Sequence, residues 1–89
     1  MTFAPGTRVR ARLHDPNHHI RLPRYVRGHV GEVVETEGEW PLPDDRAQGV
    51  TPARVETVYA VRFSAARLWG EGAHTVTVGL WESYLEEAG

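Results

Sequence analysis

Apolar and polar positions alternate with the two-residue period of a half-buried strand in three stretches of this chain. From Thr7 to Leu13, Val9, Ala11 and Leu13 share one face and Arg8, Arg10 and Arg12 the other. From Thr57 to Phe63, the set Tyr59, Val61 and Phe63 opposes Val58, Ala60 and Arg62, and a third alternating run covers Thr75 to Leu80. Val30 to Glu37 reads as a fourth strand, less regular, with Val33 or Val34 inward and Gly31 suggesting a bend or bulge. Trp81 to Leu85 predicts a turn followed by a short last strand.

Turn chemistry separates these runs. Pro5-Gly6 predicts a turn, and His14-Asp15-Pro16-Asn17 a loop, because a residue before proline avoids the helical region. Leu22 to Arg27 predicts a single helical turn, and Ser64 to Gly70 another, with Ser64 as N-cap and Gly70 ending it. Residues 38–54 are broken by Gly38, Pro41, Pro43, Gly49 and Pro52 and predict a long loop, functional or pinned by a partner. Short strands, small turns and the absence of a long helix indicate an all-β fold: a small five-stranded SH3-like barrel with one or two short helical turns. Phe63, Trp69, Trp81 and Tyr84 are expected to fill its core, and residues 1–89 to form one domain.

Composition narrows the function. The 89 residues contain no cysteine, which excludes a disulfide, a thiolate metal site and a cysteine nucleophile within the chain. No basic-then-apolar leader opens the chain, and no apolar run approaches about 18 residues, so a soluble, cytoplasmic protein without membrane contact is expected. The net charge of −2 hides an asymmetry: residues 1–29 hold six arginines against Asp15 alone, residues 30–89 four arginines against eleven acids. Lysine is absent. Arginine alone on an acidic chain suits fixed ion pairs and interfaces better than nucleic acid, which is not expected as a partner.

Candidate chemistry within the chain is sparse. His14, His18 and His19 lie on a loop without a carboxylate or thiolate at ligand spacing, so no metal site is expected. Ser64 and Ser83 sit in no nucleophile elbow. Glu32, Glu35, Glu37 and Glu39 read as a solvated face that balances the arginines of the first strand. Residues 14–20 lack the aromatics of a proline-peptide groove. The segment His19-Ile20-Arg21-Leu22-Pro23-Arg24-Tyr25-Val26-Arg27-Gly28 is different, because it concentrates three guanidinium forks around a proline. Pro23 fixes the backbone beside Arg21, leaving two readings: a fork aimed at a fixed oxyanion, or a surface arginine paired to a glutamate.

The same segment, with Val30-Gly31 after it, resembles the C-terminal SH3-like half of nitrile hydratase β subunits. Trp40-Pro41-Leu42-Pro43-Asp44 resembles that family's aromatic-Pro-x-Pro-Asp loop. Tyr59-Ala60-Val61-Arg62-Phe63 with Leu68-Trp69-Gly70, and Val78-Gly79-Leu80-Trp81-Glu82-Ser83-Tyr84-Leu85-Glu86, resemble its later motifs in the same order. The resemblance implies a small non-metal subunit of an enzyme that adds water to a nitrile to give an amide. It implies no cofactor on this chain, but Co(III) or Fe(III) on a cysteine cluster, partly oxidised to sulfenate and sulfinate, in a partner α subunit. Arg21 occupies the position that hydrogen-bonds those sulfur oxygens, and His19, Arg24, Tyr25, Arg27 and Trp81 are expected at the interface. The family's N-terminal helical half has no counterpart in these 89 residues, which implies a further chain supplying it. Gly79 stands where the family carries an aspartate. The resemblance extends to thiocyanate hydrolases, and leaves a maturation or escort module for the α subunit as the alternative from another class.

Overall fold

The alternating runs become strands of one antiparallel sheet in the computed structural model, which describes residues 3–12, 24–49 and 51–88. β1 (Arg8–Ala11), β2 (Val30–Pro41), β3 (Val55–Ser64), β4 (Thr75–Trp81) and β5 (Leu85–Glu87) lie in the order β4-β3-β2-β1-β5. Each neighbouring pair is antiparallel. The last strand returns to pair with the first, through Val9 opposite Glu87 and Ala11 opposite Leu85.

Burial follows the predicted alternation along β1, whereas in β3 both faces are covered from Val58 to Val61. Val9 and Ala11 are buried while Arg8 and Arg10 are exposed, and Tyr59, Val61 and Phe63 point into the core. Val33 rather than Val34 is the inward residue of β2. Leu80 of β4 and Leu85 of β5 belong to one apolar cluster with Val9, Val33, Val61 and Phe63. The two edges of the sheet therefore curl around a common core, although among the described residues no strand pairing joins β4 to β5.

Two expectations are corrected. The irregularity of β2 is not at Gly31 but at register shifts between Val33 and Glu35 and between Thr36 and Glu39. The second shift contains Gly38, whose φ of +89° is the conformation a bulge glycine supplies. Gly31 serves a close approach instead. A Cβ there would lie 2.7 Å from Val61 Cγ1 and 2.8 Å from the Arg62 carbonyl oxygen.

Residues 38–54 are also more ordered than a long loop. The bulges let β2 run on to Pro41, and α1 (Pro43–Ala47) follows, with Pro43 at the first helical position where its missing N–H costs nothing. Leu42 is buried and its N–H donates to the Arg54 carbonyl at 2.7 Å. Asp45, only 4% exposed, closes the segment: its Oδ2 accepts from the Arg54 backbone N–H at 2.9 Å and from Nε at 2.8 Å, and its Oδ1 accepts from Nη2 at 3.0 Å. This two-pronged grip holds the Asp45 carboxyl below the usual aspartate range, the Arg54 hydrogen bonds outweighing burial.

Tyr59 ties the remaining ends together. Its buried hydroxyl donates to Glu82 Oε1 at 2.7 Å and accepts from the Phe3 N–H at 3.0 Å, while its ring meets Phe3 edge-on at 5.3 Å. Burial, helped by the Glu82 carboxylate, raises the Tyr59 pKa.

Two outcomes follow from this packing. Gly31→Ala must push apart β2 and β3 at a backbone contact, and is expected to lower unfolding free energy by about 1–3 kcal/mol in urea titration. Because the folded-state pKa of Asp45 is lowered, its contribution is complete above the ordinary value of 3.8 and is lost as the pH falls through the folded value. The stability difference between the native protein and Asp45→Asn should therefore be constant at neutral pH and shrink on acidification below that point. A difference that does not change with acid would show that the Asp45 charge contributes nothing.

Candidate interface around residues 24–29

The corner that carries the central arginines is anchored from beneath. Arg24–Val26 forms a single 3-10 turn, with the Arg27 N–H donating to the Arg24 carbonyl at 3.2 Å. Val26 plugs into the core, fully buried. Gly28 then adopts φ +79°, a left-handed conformation that lets its N–H donate to the Ala11 carbonyl at 2.6 Å. The Ala11 N–H donates in turn to the His29 carbonyl at 3.0 Å. One buried valine and two backbone bonds to β1 thus fix the turn.

What the turn presents outward is cationic and aromatic. Arg24 is exposed, Arg27 half-buried, and Tyr25 is 43% exposed. Tyr25 stacks on Trp69 with ring centroids 5.8 Å apart and planes 26° from parallel, and Trp69 stacks on His74 at 6.4 Å and 29°. Two segments distant in sequence, around Tyr25 and from Trp69 to His74, therefore share one aromatic ladder on the surface. Trp69 is the third correction. Expected in the core, it is 53% exposed, because α2 (Ala65–Trp69) is five residues long and turns Ala65 and Leu68 toward the core. Adjacent helical positions are about 100° apart, so Leu68 inward leaves Trp69 outward. Trp69 and His74 are the members of this surface that the sequence reading missed; the Leu68-Trp69 neighbourhood on a turn ended by Gly70 was the available signal.

α2 ends as expected, with Gly70 at φ +81° and its N–H donating to the Ala66 carbonyl at 2.8 Å. Ser64 has the extended conformation of an N-cap, but its side chain makes no capping hydrogen bond.

Trp81 belongs to another part of the surface. It lies at the far end of β4 from the ladder, about 20 Å along the strand by its rise per residue. Its Nε1–H donates to the Trp40 and Pro41 carbonyls at 3.3 and 3.2 Å, and its ring meets Tyr84 edge-on at 6.0 Å. The structure thus gathers Arg24, Tyr25 and Arg27 and separates them from Trp81. Arg21 and His19 lie outside the described residues, as do His14 and His18. Among the described residues no group of three or more histidine, cysteine, aspartate or glutamate side chains is arranged to hold a metal ion. No described helix is long and apolar enough to cross a membrane.

The sequence profile of the family described as "Nitrile hydratase beta subunit, C-terminal" matches residues 1–87. The chain belongs to this family. It is similar to the nitrile hydratase subunit beta of Rhodococcus erythropolis, with 42% identity over 98% of this chain and 42% of the relative. It is also similar to the low-molecular weight cobalt-containing nitrile hydratase subunit beta of Rhodococcus rhodochrous, with 46% identity over 93% of this chain and 38% of the relative. The chain thus spans about two fifths of the length of these curated relatives. Among solved structures, a thiocyanate hydrolase chain from Thiobacillus thioparus, in a recombinant apo-enzyme, superposes with a TM-score of 0.87 at 32% identity, over 97% of this chain and 75% of that one.

For the surface of this nitrile hydratase β-type domain, the stacked geometry makes a quantitative expectation. A double-mutant cycle on Tyr25→Ala and Trp69→Ala should return a coupling of about 0.5–1.5 kcal/mol in chemical denaturation, the worth of an offset aromatic pair. A coupling of zero would mean that the rings do not touch in solution.

Proposed function

We propose that this chain works as the small, non-metal β-type component of a nitrile hydratase complex, converting a nitrile and water to an amide together with a metal-bearing α subunit. The observation that carries this reading is the family match over residues 1–87, nearly the whole chain. A lack of cysteine throughout agrees with a division of labour in which the α subunit holds the Co(III) or Fe(III) on its own thiolates. The cobalt-containing relative from Rhodococcus rhodochrous supports a metal in the partner. The portion equivalent to the rest of a full-length β subunit would come from a further chain or segment. The thiocyanate hydrolase chain, three quarters of which is covered by this domain, supports such a division. The complex would act in the cytoplasm.

In this reading the anchored turn does the work of placement. Val26 and Gly28 hold the turn to β1, and Arg24, Tyr25 and Arg27 meet the α subunit, where arginine and tyrosine are favoured at the centre of interfaces. His19 and Trp81 would contribute further interface contacts. Arg21 would donate both prongs of its guanidinium to the sulfenate and sulfinate oxygens of the α subunit's oxidised cysteines. Charge-assisted, bidentate bonds of this kind fix the orientation of the metal's ligands and hold their negative charge in a site shielded from water. The chain alone would have no hydratase activity.

The test is Arg21→Lys in the assembled complex. A single ammonium cannot reproduce the fork, and turnover is expected to fall by roughly a hundredfold with assembly unchanged on size-exclusion chromatography. Near-normal turnover in the fully assembled variant would sink the assignment of Arg21. A second reading, hydrolysis of thiocyanate, is favoured by the thiocyanate hydrolase neighbour. Assaying the purified complex against an aliphatic nitrile and against thiocyanate separates the two.

A further inference from the structure

The strand register sets Arg8, Glu32 and Arg62 side by side on β1, β2 and β3. Two residues along β3, Ser64 faces Thr75 of β4. Arg67 of α2 joins these side chains around a shallow concavity of about 320 Å³. Three guanidinium groups and one carboxylate line it, leaving an excess of two positive charges. Among the described residues Glu32 engages Arg62, its Oε1 accepting from Nη2 at 3.4 Å. Among the described residues neither Arg8 nor Arg67 takes part in an ion pair. The Ser64 hydroxyl is not spent on capping α2.

We infer that this concavity binds a tetrahedral oxyanion of the phosphate or sulfate class. Two open forks approach from different elements, β1 and α2, and two hydroxyls add donors from β3 and β4. That supplies more N–H and O–H groups than the two oxygens of a carboxylate can use, since one guanidinium already satisfies a carboxylate bidentately. A tetrahedral dianion offers oxygens in several directions and matches both the donor number and the charge excess. Glu32 acts as an internal competitor: its carboxylate holds Arg62 when the site is empty and repels the incoming anion. The inference stands on the concavity alone and does not depend on the proposed hydratase role.

The experiment is a titration of the full chain with inorganic phosphate, and in parallel with sulfate, acetate and chloride at matched ionic strength. The readout is a ¹H–¹⁵N spectrum that resolves the arginine Nε–H signals. Saturable shifts are expected at Arg8, Arg62 and Arg67 with phosphate and sulfate, with weaker binding of acetate. Arg67→Gln should weaken phosphate binding by about tenfold or more, through loss of a charge-assisted donor. Arg46→Gln, which removes the same charge from α1, should change it by no more than about twofold, because remote exposed charges are screened. Glu32→Gln should tighten binding, whereas Glu35→Gln, with the same change in net charge, should leave it nearly constant. All four variants alter exposed side chains, and their amide spectra report whether the fold is kept. Equal weakening by Arg67→Gln and Arg46→Gln, shifts as large with chloride as with phosphate, or acetate bound as tightly as phosphate would overturn the inference.

Discussion

The structure depends on one strand serving two neighbours that do not lie in one plane. β2 pairs with β1 through Val30–Glu32 and with β3 from Glu32 to Pro41, and at twelve residues it is the longest described strand. It does so by bending at two bulges, where an extra residue on one strand increases the local twist. Without the bends Leu80 and Leu85, at opposite edges of the ladder, could not share a core with Val33. A chain of this size has little apolar surface to bury, so curling the sheet around one cluster is what gives it an interior at all. Gly31 belongs to the same constraint: where β2 passes from one partner to the other, its backbone lies against Val61 and the Arg62 carbonyl too closely for a side chain.

That curled sheet also determines what remains outside. β1 is held between β2 and β5, and its Ala11 exchanges backbone bonds with Gly28 and His29, so the turn at Arg24–Val26 is fixed to the sheet rather than suspended from it. Val26 and Ala65 are buried and Leu68 packs against the core, while the indole of Trp69 stacks between Tyr25 and His74 on the surface. Exposed, mutually stacked aromatics beside arginines are costly for a free monomer and favourable at an interface, where stacking and guanidinium donors are used together.

The alternation along β1 was legible because that strand has one wet and one dry face, and a two-residue period is then forced on the sequence; in β3 it was legible through the large residues Tyr59, Val61 and Phe63, although Val58 and Ala60 on the other face are buried as well. Val9, Ala11, Tyr59, Val61 and Phe63 could be placed from pattern alone. The continuation of β2 to Pro41 was not, because a bulge breaks the period and puts Gly38 in a strand, where glycine ordinarily signals a turn. α1 was hidden for a related reason. Its order comes from the grip of Arg54 on Asp45, nine residues apart, and no local spacing marks two oppositely charged residues as partners. The arginine-rich turn was legible as chemistry, since residue type and proline spacing carry that information. Its aromatic companions were not, because Trp69 and His74 reach Tyr25 only through the tertiary fold.

Gly79 acquires a physical meaning from the same geometry. A Cβ at that position would lie 2.7 Å from Glu37 Oε1, so the space a side chain would use on β4 is taken by a carboxylate from β2. Glu37 is exposed, as Glu32, Glu35 and Glu39 are, and its head group also reaches this stretch of β4. Together with Trp40, Pro41, Arg46, Val58 and Trp81 it lines a single cleft, and the glycine is what admits its head group there. A larger residue at 79 would have to displace Glu37, and a second carboxylate there would also meet it as a like charge at contact distance. The glycine on β4 and the glutamate on β2 therefore fit together: negative charge stands beside this stretch of β4, delivered across β3 from the second strand away.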